Sequence, residues 1–249
     1  MTKTHVITEI SSLTAQHFDQ AVWHQHQAVT GTSGGRHTVW FVAPQRAIPH
    51  LASEHGQQWV LRHYYRGGLP GRFVRRSFVY TGLARTRSVA EYNLLQAMRV
   101  QELPVPKPIA ALVQRMGVRY KASLLIERIP EAQDLGRLLL QQALTEQEWQ
   151  HVGATVRRFH LAGVYHSDLN CKNILWRSVD KKTFVIDFDR CAMKAPVNKP
   201  NQVLAWQHAN LQRLKRSFEK ERNKARAEGG FHWQKSDWQA FMAGYLRTP

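Results

Sequence analysis

The chain has 249 residues, 43% of them apolar, with eight Trp and ten Phe, which suffices for one large domain or two small lobes and excludes a disordered chain. Its two cysteines, Cys171 and Cys191, do not suggest a disulfide framework and point to a reducing compartment. Lysine plus arginine number 35 against 18 acidic residues, a formal charge of +17, which is either a generally basic solvated surface or a field for polyanions: nucleic acid, anionic lipid or a multiply phosphorylated substrate.

No stretch near the start has the apolar core of a signal peptide. The longest apolar runs, such as 40–43 and 124–126, are far too short to span a bilayer. A soluble or peripheral protein is expected.

In chain order, the sequence predicts a glycine-rich turn from Gly31 and an alternating strand over 38–42. A second strand over 58–64 ends at Gly67-Gly68. A helix over 88–102 follows, with Ser88 as cap and Leu94, Leu95 and Met98 on one face. Pro104, Pro106 and Pro108 end it. Two strands come next, near 109–114 and 122–126, then a connector at Glu127-Arg128-Ile129-Pro130.

After Pro130 the pattern turns helical, over 135–142 and 146–162. A hairpin of strands 173–177 and 183–187 turns through Asp180-Lys181-Lys182, and the remainder is mainly helix, especially 202–228. The layout predicts an α+β fold of two lobes. Residues 1–127 form a mainly antiparallel β lobe with one helix, and residues 128–249 a mainly helical lobe.

The strongest chemical signal is Tyr165-His166-Ser167-Asp168-Leu169-Asn170-Cys171-Lys172-Asn173-Ile174-Leu175. It resembles the H-x-D-L-x-x-x-N catalytic loop of the protein-kinase-like superfamily. Fourteen residues after Asn173 comes Ile186-Asp187-Phe188-Asp189, in the place of the metal-binding D-F-G. The two motifs flank the predicted hairpin, and together they are far more specific than either alone. Phosphoryl transfer to a hydroxyl needs a group to orient the attacking oxygen and take its proton, which suits Asp168. It also needs cations on the triphosphate, and Asn173 and Asp187 offer the hard oxygens that Mg²⁺ prefers. The plainer reading makes Asp168 and Asn173 turn residues and Asp187 a strand end. His166 supports the loop rather than reacting. Asp189, where protein kinases have Gly, either assists the metal or holds the loop.

The first lobe should cradle ATP. Gly31, Gly34 and Gly35 precede a strand and let backbone N–H groups approach phosphates, although their spacing is not G-x-G-x-x-G and a plain hairpin turn would look the same. Arg62 stands where V-A-I-K places its lysine, and is otherwise a solvent-facing strand residue. Glu91 is its natural ion-pair partner, yet Ser88 and Glu91 also fit an S-x-x-E capping box.

No A-P-E follows Asp189, and the roughly sixty remaining residues are too few for the usual large lobe of a protein kinase. A small or membrane-presented acceptor is favoured. Three segments, Val60-Leu61-Arg62-His63-Tyr64-Tyr65-Arg66-Gly67-Gly68-Leu69, the catalytic loop and Ile186-Asp187-Phe188-Asp189-Arg190, together resemble the 3-deoxy-D-manno-octulosonic acid (Kdo) kinases of the lipopolysaccharide core kinase family of Gram-negative bacteria. The resemblance runs from about residue 31 to residue 215, and the Arg-His-Tyr…Arg-Gly-Gly segment is its most specific part. It implies ATP γ-phosphate transfer to the 4-hydroxyl of Kdo on the lipid A precursor (Kdo-lipid IVA). It also implies Asp168 as base and a peripheral location on the cytoplasmic side of the cell inner membrane.

A charge of +17 suits such an anionic glycolipid acceptor and an anionic membrane surface, with no obligate nucleic acid. Arg66, Arg72, Arg75 and Arg76, interleaved with Tyr64, Tyr65, Phe73, Phe78 and Tyr80, suit a membrane interface or an anionic sugar, or equally a solvated loop over core aromatics. The stretch 206–228 is also basic, with Leu211, Leu214 and Phe218 as a core-facing seam. Two other readings stay open. One is a kinase of the same fold acting on another acceptor, such as a lipopolysaccharide heptose. The other is a catalytically dead basic kinase fold binding nucleic acid, against which the intact Asp168, Asn173 and Asp187 argue.

Overall fold

The computed structural model describes residues 2–34, 38–48, 51, 57–65, 77–195, 203–225 and 230–247. Two compact units result, Met1–Ala97 with Pro106–Pro130, and Met98–Val105 with Glu131–Pro249.

The first unit runs through β1 (Thr2–Thr8), a 3-10 turn at Ala15–Phe18, α1 (Gln20–Gln25), β2 (Val29–Ser33), β3 (Val39–Val42), α2 (Pro44–Ala47), β4 (Trp59–His63), β5 (Phe78–Val79), α3 (Arg87–Val100, of which the last three residues count with the second unit), β6 (Pro108–Met116) and β7 (Arg119–Glu127). Six strands lie in the order β1-β6-β7-β4-β3-β2, and β5 joins β7 as well. Every pairing is antiparallel. The two-residue strand period decides which side chains meet. In β4, Trp59 and Leu61 are buried in a cluster with Trp23, Val42, Leu112 and Leu125. Val60 and Arg62 therefore point to the opposite face.

The strands expected over 38–42 and 58–64 are present as β3 and β4. β1 was not foreseen: it is an edge strand, exposed over its first three residues, so no apolar run marks it. The expected turn at Gly31 is corrected. Gly31 lies inside β2, where the register with β3 shifts between Val29 and Gly31, because β2 pairs with β3 as far as Ser33.

The second unit contains β8 (Ala132–Asp134), α4 (Leu135–Leu138), α5 (Glu146–Leu161), β9 (Val164–Tyr165), β10 (Ile174–Arg177), β11 (Lys182–Val185), β12 (Ala192–Met193), α6 (Ala205–Ala225) and α7 (Lys235–Leu246). The helix expected over 135–142 stops at Leu138. Leu139 is fully buried, and its carbonyl accepts the backbone N–H of His232 at 2.7 Å, a tertiary bond in place of another helical turn. α5 begins with a reciprocal cap: Thr145 Oγ1 accepts from Glu148 N–H at 3.3 Å, and the Glu148 carboxylate accepts from Thr145 N–H at 2.9 Å. It stops at Gly163, whose φ of +79° suits glycine and whose missing side chain makes room for the Lys194 carbonyl. The chain thus leaves α5 directly into β9 and the loop at His166.

The first unit is mainly antiparallel sheet and the second mainly helix, as the α+β reading expected. α5 and α7 cross closely at Gly153 and Gly244. A Cβ on Gly153 would lie 2.0 Å from the Phe241 carbonyl oxygen, and one on Gly244 1.9 Å from that of Gln150. Alanine normally gains about 1 kcal/mol over glycine within a helix, but here the overlap is with backbone and the helices must separate. Gly153→Ala should therefore lower the unfolding free energy by about 3 kcal/mol, read from the urea midpoint; an unchanged or raised midpoint would refute the close crossing.

Candidate active site

The loop from His166 to Asn173 is held from within and from both sides. His166 is buried, and its Nδ1 accepts the Asp168 backbone N–H at 3.2 Å. The proton must then sit on Nε2, which donates to the Ile186 carbonyl at 3.0 Å. One neutral ring therefore ties the loop to the residue just before Asp187. Burial pushes the His166 pKa below its ordinary value, which keeps the ring in that state. The expected supporting role matches this geometry.

Asp168 has an exposed side chain, 3.8 Å from Arg213 Nη1. Its backbone carbonyl accepts the side-chain amides of Asn170, at 3.1 Å, and Asn173, at 2.9 Å. That bond uses the Asn173 amide nitrogen and leaves its oxygen as the group that could accept or ligate. Asn173 and Asp187 are brought close by the β10–β11 hairpin, whose base is closed by Ile186 N–H donating to the Asn173 carbonyl at 3.0 Å.

Asp187 has φ +64°, in the left-handed region that non-glycine residues avoid. Such a conformation costs on the order of 1–3 kcal/mol and persists only when its neighbours impose it. Both neighbours do. Ile186 is tied to Asn173 and His166, and Phe188 is buried against the Phe159 and His166 rings. The Asp189 carbonyl accepts from Ser167 Oγ at 2.8 Å, so its backbone holds the loop.

Helix α6 supplies an outer brace that the sequence reading missed. Asn210 exchanges bonds with the His166 backbone, at 2.9 and 3.3 Å. Ser217 Oγ accepts from Cys171 N–H at 2.9 Å, and Glu221 pairs with Lys172 at 3.2 Å. With Arg213 at Asp168, positions 210, 213, 217 and 221 follow helical spacing and meet loop residues in the same order. The available signal was a polar row beside the apolar stripe of Leu211, Leu214 and Phe218.

In the first unit, Arg62 and Glu91 form an ion pair, and Tyr64 Oη donates to the same carboxylate at 2.6 Å. Glu91 is buried, while the Arg62 side chain keeps 19% exposure. The capping alternative for Glu91 is overturned: Ser88 Oγ donates to the Leu112 carbonyl at 2.9 Å, and the first helical bond is accepted by Thr86. Gly34 follows β2 with open space where a Cβ would stand. Gly35 and the basic segment with Arg66, Gly67, Gly68, Arg72, Arg75 and Arg76 lie outside the described residues.

Among the described residues there is no group of three or more His, Cys, Asp or Glu fit to hold a metal. Asn173 and Asp187 each carry a side-chain oxygen of the hard kind that Mg²⁺ prefers.

The fold is that of a kinase. A solved structure described as WaaP in complex with acyl carrier protein aligns with a TM-score of 0.52 over 98% of this chain and 90% of its own, at 15% identity. The chain belongs to the lipopolysaccharide kinase (Kdo/WaaP) family, whose model matches residues 20–245. Among its relatives, a 3-deoxy-D-manno-octulosonic acid kinase of Photobacterium damsela subsp. piscicida is 40% identical, over 89% of this chain and 84% of that protein. One of the same description from Vibrio vulnificus (strain YJ016) is 39% identical, over 92% and 87%. The protein is thus an enzyme, a kinase of carbohydrate.

Two outcomes follow from these contacts. Arg62→Met leaves the buried Glu91 carboxylate without its cation and should cost about 3 kcal/mol, much of it regained in the Arg62→Met/Glu91→Gln double variant; a chemical-denaturation cycle measures both. Burial pushes the pKa of His166 down, and that of His160 in α5 down to about 3. Protonation therefore favours the unfolded chain, so this stability is present above about pH 6.5 and is lost as pH falls toward the folded-state values. The urea midpoint should drop between about pH 7 and about pH 5, and a flat profile would show that neither ring is held neutral.

Proposed function

We propose that the protein transfers the γ-phosphate of ATP to the 4-hydroxyl of the Kdo residue on Kdo-lipid A precursor (Kdo-lipid IVA), in lipopolysaccharide core biosynthesis. The reading rests above all on the exposed Asp168 carboxylate, held in a pinned loop beside the Asn173–Asp187 pair. Relatives at about 40% identity carry the description 3-deoxy-D-manno-octulosonic acid kinase, which supports the choice of sugar.

In this mechanism Asp168 accepts a hydrogen bond from the acceptor hydroxyl, orients the oxygen and takes its proton as the new bond to phosphorus forms. Asn173 and Asp187 provide oxygen ligands for Mg²⁺. When bound, Mg²⁺ supplies neutralisation of charge on the phosphates, and ATP supplies the transferred group. Arg62 binds phosphate, and Glu91 with Tyr64 fixes its side chain. Gly34 presents its backbone N–H to phosphate.

The acceptor is an anionic glycolipid, and a charge of +17 favours its capture at an anionic surface. No helix among the described residues is long and apolar enough to cross a membrane. The proposed location is peripheral, on the cytoplasmic side of the inner membrane, and it rests on that charge.

The test is phosphate transfer from labelled ATP, with Mg²⁺, to Kdo-lipid IVA and to the same precursor lacking Kdo. Label should appear only on the Kdo-bearing acceptor and fall by about 10²–10⁴-fold in Asp168→Asn, with ATP binding retained. ATP turnover with no label on Kdo would remove this acceptor, and unchanged transfer by Asp168→Asn would remove the base.

A further inference from the structure

Between α5 and α7, away from the Asp168 loop, lies an open cleft of about 750 Å³ whose lining includes Arg157, Arg158, His151 and Arg247, with Glu146 and Gln150. Arg157 is 6% exposed, and what remains accessible lines this cleft. An arginine with so little exposed surface ordinarily has a carboxylate beside it, because taking its charge out of water costs several kcal/mol. Arg157 has none within ion-pair distance among the described residues. Its polar partner is the Tyr245 hydroxyl, 3.3 Å from Nη1, and the Tyr245 ring lies under it at 5.1 Å from the centroid.

That partner is neutral. The Tyr245 hydroxyl lies 2.7 Å from His160 Nδ1, and burial raises the tyrosine pKa while pushing that of the histidine down to about 3. Phenol and imidazole both stay uncharged near neutral pH. A cation–π contact contributes on the order of 0.5–2 kcal/mol, less than the burial of an unpaired charge costs. The acid in the cleft, Glu146, instead accepts from the Gln150 side chain at 3.0 Å. Arg158 and Arg247 are exposed at the rim, and Arg158 is tied to the Glu102 carbonyl at 2.8 Å. The charge balance of the cleft is positive, with its deepest cation uncompensated.

We propose that this cleft binds a phosphate-type oxyanion, with Arg157 as the buried anchor and Arg158 and Arg247 at the rim. The planar fork of arginine matches two oxygens of a phosphate, and the low-polarity wall behind it strengthens the pairing. A phosphomonoester on a lipid headgroup and free phosphate share this chemistry. The site belongs entirely to the second unit and is independent of the acceptor assigned to the Asp168 loop.

The experiment measures thermal stabilisation by inorganic phosphate against chloride at equal ionic strength. A non-hydrolysable ATP analogue and Mg²⁺ are present throughout, so that the nucleotide site is not the reporter. A second arm measures co-sedimentation with phosphatidylcholine vesicles containing phosphatidic acid, against vesicles of phosphatidylcholine alone. Arg157→Met keeps the volume and removes the charge. It should weaken phosphate binding by about tenfold or more. Arg158→Gln/Arg247→Gln should weaken it less, and this rim variant reads the site even should Arg157→Met fold poorly. Arginine-dependent stabilisation by free phosphate identifies a soluble ligand; arginine-dependent binding to phosphatidic acid vesicles alone identifies a headgroup. Equal responses of the wild type and both variants, or no response in either arm, would overturn the proposal.

Discussion

The Asp168 loop depends on one neutral imidazole. His166 accepts from the Asp168 backbone and donates to the Ile186 carbonyl, so two segments twenty residues apart share a single rigid spacer. A protonated ring could not accept from Asp168, and the opposite tautomer could do neither. Burial selects the working form by penalising the charged one. The left-handed conformation at Asp187 is then a consequence: Ile186 is fixed on one side, Phe188 is packed on the other, and the residue between them has little choice.

Bracing from outside completes the constraint. α5 ends at Gly163 and delivers the chain to His166, and α6 fixes the far side through Asn210, Ser217 and Glu221. A loop carrying an exposed carboxylate is thereby supported by two helices and a hairpin. A loop held this way has little freedom left to lose when a ligand binds.

Legibility in the sequence followed separation along the chain. The Asp168–Asn173 loop and the following hairpin were readable because their residues are neighbours with fixed spacing. Arg62 and Glu91 are 29 positions apart, and Glu91 fitted a local capping pattern equally well. What decided between them was Ser88, whose hydroxyl bonds to the Leu112 carbonyl, a contact from α3 to β6 that spacing does not encode. The same limit hid β1, which earns its place only through pairing with β6, and shortened α4, where a carbonyl is taken by His232 from nearly a hundred residues away. The brace from α6 was half legible: its apolar seam is where the periodicity put it, but nothing in a polar row says which loop it will meet.

Composition was least informative where it was most unusual. A charge of +17 says that anions are attracted, not which arginines will be buried or paired. Arg62 and Arg157 both leave solvent to a large degree, yet they meet opposite electrostatic surroundings. Arg62 faces a buried carboxylate that a tyrosine also bonds. Arg157 faces a tyrosine and a neutral histidine, which satisfy a hydrogen bond but not a charge. Hydrogen bonding and charge balance are separate requirements for a buried cation, and only the first is met at Arg157 by the described residues. Among the described residues that guanidinium, on the wall of an open cleft, has no carboxylate beside it, which is what makes an added oxyanion the natural probe of the site.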